Sequence, residues 1–348
     1  MNENVAAIMN GFELLRDDPY YRGIVEVNVR RLREVADNLA DSALIAPDWQ
    51  ISGVLPSSHR AFVSHAFYTA VINFAFRHFG GARNRYIFNR YFHGSFGAGA
   101  CFHRQFGEKR ISAGEILRVT ATLSRVKEFL KGKNSMPLLS ERRDHLREAA
   151  EVVSREFGGD PMNIIEQAKF KAEDVIRILV ARFPTAFGAD YAALPAADYK
   201  IMTFRFHKRA QLLPLMYHGR ASHSNGELPI LKDPEYIGPI SDPAVPSGLR
   251  LLGILIYSPE LEDKIARQVL LTAGGREEVL IRLATVYAMQ KLLDCVNSRR
   301  YWYLTQPRAT TSCLRGKPEI TMVELDNYMW KLGRAAGLPR HLTKTTAY

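Results

Sequence analysis

Apolar residues in this chain recur mostly at helical spacing. Between 24 and 40, Val25, Val29, Leu32, Val35 and Leu39 fall on one stripe, which predicts an amphipathic helix. Residues 60–79, RAFVSHAFYTAVINFAFRHF, are apolar nearly all round and predict a buried central helix. The run SAGE at 112–115 has the form of a capping box, opening a helix that carries Ile116, Val119, Leu123 and Val126. Another helix is expected from about 140 to Gly158-Gly159, where glycine suits a C-cap. Asp160-Pro161 and Ser258-Pro259 each place a capping side chain before a proline at the first helical position. TMVE at 321–324 is a second capping box, and its helix is expected to end near Gly337, with Pro339 beyond. The strand signal is poor. YKIMTFRFH (199–207) alternates in part and fits either a short strand or a helix start. Two stretches read as irregular: about 80–110, rich in Gly, Arg and aromatics, and about 218–247, rich in Pro and Gly. With no internal repeat and no low-complexity linker, the expected fold is mostly α, one compact helical domain over 1–348 with residues 1–20 as a peripheral segment.

Composition narrows the class. The chain has 348 residues, 47% of them hydrophobic, enough for a substantial core. No apolar run approaches the ~20 residues of a membrane helix; the longest are broken by Arg77, His78 or Arg250, so no membrane partner is expected. The start, MNENVAAIMNGFELLRDD, lacks a basic segment followed by an apolar core, so no signal peptide is expected. Cys101, Cys295 and Cys313 are too few and too scattered for a disulfide framework or a zinc site, which fits a reducing cytoplasm. The formal charge of +11 favours anionic partners such as nucleic acid, nucleotides or phosphorylated metabolites, although the cations are dispersed rather than blocked.

Few local motifs carry chemistry. FGAGAC (96–101) has close glycines but no preceding strand, and no P-loop, H-E-x-x-H or G-x-S-x-G occurs. His59 and His65, or His93 and His103, lack the acids or cysteines of a metal site, so no metal is expected. The stretch GPISDPAVPSGL (238–249) is more pointed. It sets Asp242 among Pro239, Pro243 and Pro246, before the apolar run LRLLGILIYS. Asp before Pro is ordinary turn chemistry, and a stiff loop is also a way to hold a functional acid. The local residues leave both readings open.

Several segments, read in order, resemble one family. VINFAFRHF (71–79) resembles its asparagine-aromatic helix, N-F-C-F-W. MPLLSERRDHLREAAEVVSREFGGDPMNIIEQA (136–168) resembles its middle helices, and ILVARFPTAFGADYAALPAADYKIMTFRFHKRAQLL (178–213) its F-P-x-F and Y-K-R-A-Q elements. ISDPAVPSGLRLLGILIYSPEL (240–261) is similar to F-A-D-Y-R-V-P-Q followed by L-G-V-L-x-Y-S, and EEVLIRLATVYAM (277–289) to E-V-E-I-R-A. ELDNYMWKLG (324–333) and PRHLTKTTAY (339–348) resemble the last helix and the H-R-T-R-T-x-x-Y end. The family is that of the queuosine salvage proteins, queuosine 5′-phosphate N-glycosylases.

The resemblance implies an architecture similar to helix-hairpin-helix DNA glycosylases. It implies release of queuine, or a related base, from a nucleoside 5′-monophosphate, with no metal or organic cofactor. By the same carry-over, Asp242 is the catalytic carboxylate, suited to the oxocarbenium-like charge that builds on the ribose. Asp326 and Trp330, four apart on the last helix, and Ile240 and Lys331 fall at base-binding positions. Lys208 and Arg209, with Gln211 in the same element, and His341 and Lys344 in the tail fall at phosphate-binding positions. The chain also departs from the pattern. Ile240 stands where the family has an aromatic, Lys331 where it has an acid, Arg77 for the Trp of N-F-C-F-W, and Pro243-Ala244 for Tyr-Arg. Because queuine carries a secondary ammonium, Lys331 disfavours it. The carboxylate is kept while base recognition is altered. Two alternatives therefore stand beside the hydrolase: a non-catalytic nucleic-acid- or base-binding module on the same fold, and a hydrolase with changed base specificity.

Overall fold

The structure is a computed structural model that describes residues 2–80, 85–196, 200–305 and 317–348, with side chains to 302 in the third segment. Tyr199 and Cys313 lie outside the described residues. The elements run α1 (Glu3–Asp17), β1 (Val25–Val27), α2 (Val29–Ala40), α3 (His59–Val71), α4 (Gly94–Phe106), α5 (Ala113–Val119), α6 (Leu123–Phe129), α7 (Leu139–Glu156), α8 (Met162–Gln167) and α9 (Ala172–Arg182). Then come β2 (Tyr191–Pro195), β3 (Ile201–Arg205), α10 (Lys208–Ala221), α11 (Val245–Leu251), β4 (Leu255–Tyr257), α12 (Pro259–Ala266), β5 (Leu270–Leu271), α13 (Arg276–Thr305), α14 (Met322–Ala335) and β6 (Leu342–Thr343). The protein is mostly helical, and among the described residues the strands form three two-stranded pairs. The residues group into two compact units. One comprises Met1–Pro47, Tyr191–Phe206 and Glu235–Thr343, the other Asp48–Asp190, His207–Pro234 and Lys344–Tyr348.

In the first unit α13 is the central element, with α1 and α2 packed on it. α1 buries Val5, Ile8, Met9, Phe12 and Leu15, the spacing of one helical face. The helix expected over 24–40 is shorter than its apolar stripe. Val25–Val27 pair antiparallel with β4, Asn28 caps the Arg31 amide at 3.0 Å, and the helix starts at Val29. Val25 reaches the core from the strand, while Val29 is exposed. The ambiguous run after 199 is a strand. β3 pairs with β2 and turns Phe204 toward α1, where a Cβ on Gly11 would stand 2.2 Å from the Phe204 ring.

α11 and α14 approach one another closely through two glycines. A Cβ on Gly333 would lie 1.9 Å from the Ala244 carbonyl oxygen, and one on Gly248 would lie 2.7 Å from that of Met329. Both helices therefore meet main chain to main chain, through glycines that only a missing side chain permits. The expected caps are present: Ser258 accepts from the Leu261 amide at 3.2 Å, and Thr321 and Glu324 form a complete capping box.

In the second unit α3 is buried on every side, but it stops at Val71 rather than running to 79. Arg209 donates to the Val71 carbonyl at 2.6 Å and Lys208 to that of Asn73 at 2.9 Å. Arg142 donates to the carbonyls of Ile72 (2.5 Å), Phe74 (2.6 Å) and Ala75 (3.0 Å). Three cations from other helices thus take over acceptors that the next helical turn would have used. Arg142 and Arg209 also stack on Phe74, at 4.4 and 5.1 Å. The single helix expected after Ser112 is two short ones. The capping box forms, α5 ends at Val119, and Thr122 caps a new start at the Arg125 amide. At the end of α7 the backbone of Gly158 and Gly159 is left-handed, and the Phe157 and Gly159 amides both reach the Val153 carbonyl. The stretch about 80–110 that reads as irregular contains α4, where Gly97 and Gly99 admit Tyr86 and Val54 to close contact.

Two predictions follow from this packing. Gly333→Ala forces a methyl into the Ala244 carbonyl and costs about 3 kcal/mol, the upper end of overpacking penalties. Its thermal melt should fall by several degrees, while Gly114→Ala, whose Cβ would meet nothing closer than 3.9 Å, holds or gains. An unchanged Gly333→Ala melt would show that the two helices do not touch.

The second concerns pH. Burial lowers His65, whose Nε2 lies 3.1 Å from the Lys109 carbonyl, from its ordinary 6.5 to about 4. Burial, then Arg209 and Arg142, lowers His145 to about 3. Both rings are neutral in the folded protein and take up a proton on unfolding below pH 6.5. Stability is therefore full above about 6.5 and falls as pH drops toward 4. His65→Gln, which keeps a donor but does not titrate, should lose less stability across that window in melts run against pH. Equal slopes for the two proteins would refute the buried neutral ring.

Candidate active site

Asp242 sits at the foot of α11, half-buried. Its Oδ1 accepts from the amides of Ala244 at 2.7 Å and Val245 at 3.2 Å, and its own amide reaches the Ile240 carbonyl at 2.9 Å. This is the turn that the Asp-Pro dipeptide announces, and it fixes the carboxylate through one oxygen. Among the described residues Oδ2 has no protein partner. Pro243 and Pro246 add stiffness, and the Gly333 contact bears on Ala244, two residues away.

The loop is also held from beneath. Ser241 is buried, and Arg282 of α13 donates from Nε to its hydroxyl at 3.3 Å. The Arg282 guanidinium lies 3.8 Å over the Phe206 ring and 3.9 Å from Glu278, and both charged residues are almost wholly buried. Glu278 in turn accepts from the Gly274 amide at 3.0 Å. Sequence reasoning about site residues passed over Arg282, Ser241 and Glu278. A usable signal was present: one arginine inside the apolar run VLIRLATVYAM, where a buried cation needs a reason.

α14 carries the other acid. Positions 326, 329, 330 and 333 share one helical face, so Asp326 and Trp330 stand on the stripe whose Met329 and Gly333 meet α11. Asp326 is 6% exposed, a buried carboxylate rather than a solvated helix acid. Trp330 is half-buried, with the Arg334 guanidinium 4.7 Å over its ring. Lys331 is exposed, and Ile240 is buried in the core. His341 is buried just before β6, which pairs in parallel with β5. Asp242, Ile240, Asp326, Trp330, Lys331 and His341 thus all belong to the first unit, the first five on α11's loop or on α14.

The remaining basic positions belong to the second unit. Lys208 opens α10 from His207, whose backbone is left-handed. Its amide donates to Asp190 at 2.8 Å, and its ammonium to the Asn73 side chain at 2.6 Å as well as to the Asn73 carbonyl. Arg209 is fully buried, donating to Val71, to Thr185 at 3.4 Å and to His145 Nδ1 at 2.9 Å. Both cations hold up the end of α3. Lys344 is exposed in the tail. Among the described residues no group of three or more His, Cys, Asp or Glu is arranged to hold a metal, and no helix is long and apolar enough to cross a membrane.

Comparison with known proteins finds relatives that share one name. A queuosine 5′-phosphate N-glycosylase/hydrolase of Sphaerobacter thermophilus is 30% identical over 226 residues, 64% of this chain and 62% of that protein. The proteins of that name from Bos taurus and Mus musculus are 28% and 25% identical over 240 residues, each covering 66% of this chain and 64% of the relative. The chain thus aligns with somewhat less than two thirds of these relatives' own length. The model of the queuosine salvage protein family matches residues 55–348, a span that takes in the Asp242 loop, α13, α14 and the tail. Most of this chain, including every residue of the candidate site, lies within that match, and the chain belongs to the queuosine salvage protein family.

Proposed function

We propose that this protein is an N-ribosyl hydrolase that releases queuine or a related base from a nucleoside 5′-monophosphate. The observation that carries this reading is the anchoring of Asp242: one oxygen is tied to the start of α11 while the other has no protein partner among the described residues. As the bond between the base nitrogen and the ribose anomeric carbon breaks, positive charge grows on the ribose. A carboxylate already held in place stabilises that charge with little reorganisation. Water then supplies hydroxide to the anomeric carbon and a proton to the departing base. Arg282 acts as a positioning residue through Ser241. Asp326 serves the base edge and Trp330 its face. With Ile240 packed into the core and Lys331 exposed, the stacking face and the second acid of the family pattern are missing, which favours a related base over queuine itself.

The 5′-phosphate is assigned to His341 and Lys344 ahead of Lys208 and Arg209, whose charges are both spent at the end of α3. The reading includes an architecture of the helix-hairpin-helix glycosylase kind in one domain, supported by the predominance of helices. It also includes a cytoplasmic setting, supported by the free thiols of Cys101 and Cys295.

Asp242→Asn is expected to abolish base release in single-turnover assays, by ~3 kcal/mol or more, about 10²-fold or greater in rate. Asn keeps an oxygen for the cap, so its melt should match wild type; Asp242→Ala should lose activity and also about 1 kcal/mol of stability. Full activity in Asp242→Asn would reduce Asp242 to a turn residue.

A panel of nucleoside 5′-monophosphates, each paired with its nucleoside and assayed for free base, tests the substrate. The phosphorylated form should be preferred at least ~10-fold, the value of a single charge-assisted contact. Equal turnover of the pair would remove the phosphate roles.

A further inference from the structure

The second unit holds a cleft of about 850 Å³ that the chemistry above leaves unused. It is formed by α4, α5, α6 and the loop at 131–133, and its lining includes five cations and two carboxylates. The acids do little to balance the charge. Glu115 is committed to its capping box, accepting from the Ser112 amide and hydroxyl, both at 2.8 Å. Glu128 pairs at 3.3 Å with Lys131, one of the five. Two other cations build the wall. Arg104 donates to the carbonyls of Phe129 and Lys131 and lies 5.1 Å over Phe88, and Arg125 donates to the Arg118 carbonyl. Arg118 and Lys133 remain exposed, and among the described residues neither side chain has a protein partner.

Like charges gathered along one cleft repel one another and are stabilised by a ligand that carries several negative charges in a row. A single phosphate engages one or two of them. Cations contributed by three helices and a loop suit a linear polyanion, and the volume suits a segment of single strand rather than a duplex. Phe106, half-buried on the wall, adds an apolar surface for a base.

We propose that this cleft binds a run of phosphodiesters, as a short single-stranded oligonucleotide presents them. The test is fluorescence anisotropy of a labelled RNA strand of about a dozen nucleotides with the full chain across a salt series. Binding should be micromolar or tighter at low salt, and log K should fall against log salt with a slope of about −2 to −3, the release expected for three or four phosphate contacts. The double variant Arg118→Glu with Lys133→Glu should weaken binding at least ~10-fold and flatten the slope by about 1.4. Arg118→Lys with Lys133→Arg should bind as wild type does. Base release from a nucleoside 5′-monophosphate should be unchanged in both variants, which reports an intact fold. Absence of binding at low salt, or binding that the charge reversal leaves unaltered, would overturn the proposal.

Discussion

Main chain meets main chain where α11 crosses α14, and the candidate site depends on that contact. With Gly333 seated against the Ala244 carbonyl and Gly248 against Met329, no side chain separates the helices. The contact does two things at once. It fixes the first turn of α11, whose amides Ala244 and Val245 hold the Asp242 carboxylate. It also orients the face of α14 that carries Asp326 and Trp330, since Met329 and Gly333 lie on the same stripe. Close packing of this kind transmits small changes rather than absorbing them, so an added methyl at the crossing disturbs both acids' supports together. Arg282 completes the arrangement from α13 by holding Ser241, so the loop is gripped on both sides of Asp242.

The second unit solves a different problem by an unusual means. α3 is apolar all round and could have continued, yet five successive carbonyls from Val71 to Ala75 receive donors from Arg209, Arg142 and Lys208. Burying three cations together is costly, and burial together with the neighbouring Arg209 pulls Arg142 below its ordinary value. Carbonyl oxygens at a helix end, where partial negative charge accumulates, repay part of that cost. His145 stays neutral and accepts from Arg209, a further accommodation to the same charge. The segment 71–79, which resembles the family's asparagine-aromatic element, is thereby freed from helix and shaped by side chains distant in sequence.

Much of this was legible in the sequence, and what was missed has one cause. Caps are local, and Ser112, Ser258 and Thr321 each bond where their spacing says they should. The part of the α2 stripe formed by Leu32, Val35 and Leu39, and the extent of α7, were readable for the same reason. What failed depended on partners far along the chain. The end of α3 is set by donors from α7 and α10, β1 exists because β4 pairs with it, and the ambiguous β3 is settled by β2. α4 was hidden because a glycine-rich run looks like a loop until Tyr86 and Val54 are found against it. At the site, the turn at Asp242 was readable. The roles of Arg282 and the buried state of Asp326 were not, because burial is a property of the packed unit. Lys208 and Arg209 read as phosphate donors, and their bonds to the carbonyls that end α3 come from packing that no local pattern announces.

A turn explains an oxygen at position 242 but not a negative charge. Asn and Ser cap a helix start about as well as Asp does, and either would satisfy the amides of Ala244 and Val245. Neither would carry the desolvation that comes with a half-buried carboxylate. α11 spans seven residues, so it adds only a short run of backbone amides to reward an anion at its start. Structure therefore selects for an acceptor here and is nearly indifferent to its charge. A reaction that builds positive charge on a ribose is not indifferent. It gains from a carboxylate whose position is already set, and the capping bonds set that position through Oδ1 alone. In the proposed hydrolysis the two demands fall on different oxygens of one side chain, and of the residues that cap well only aspartate meets both.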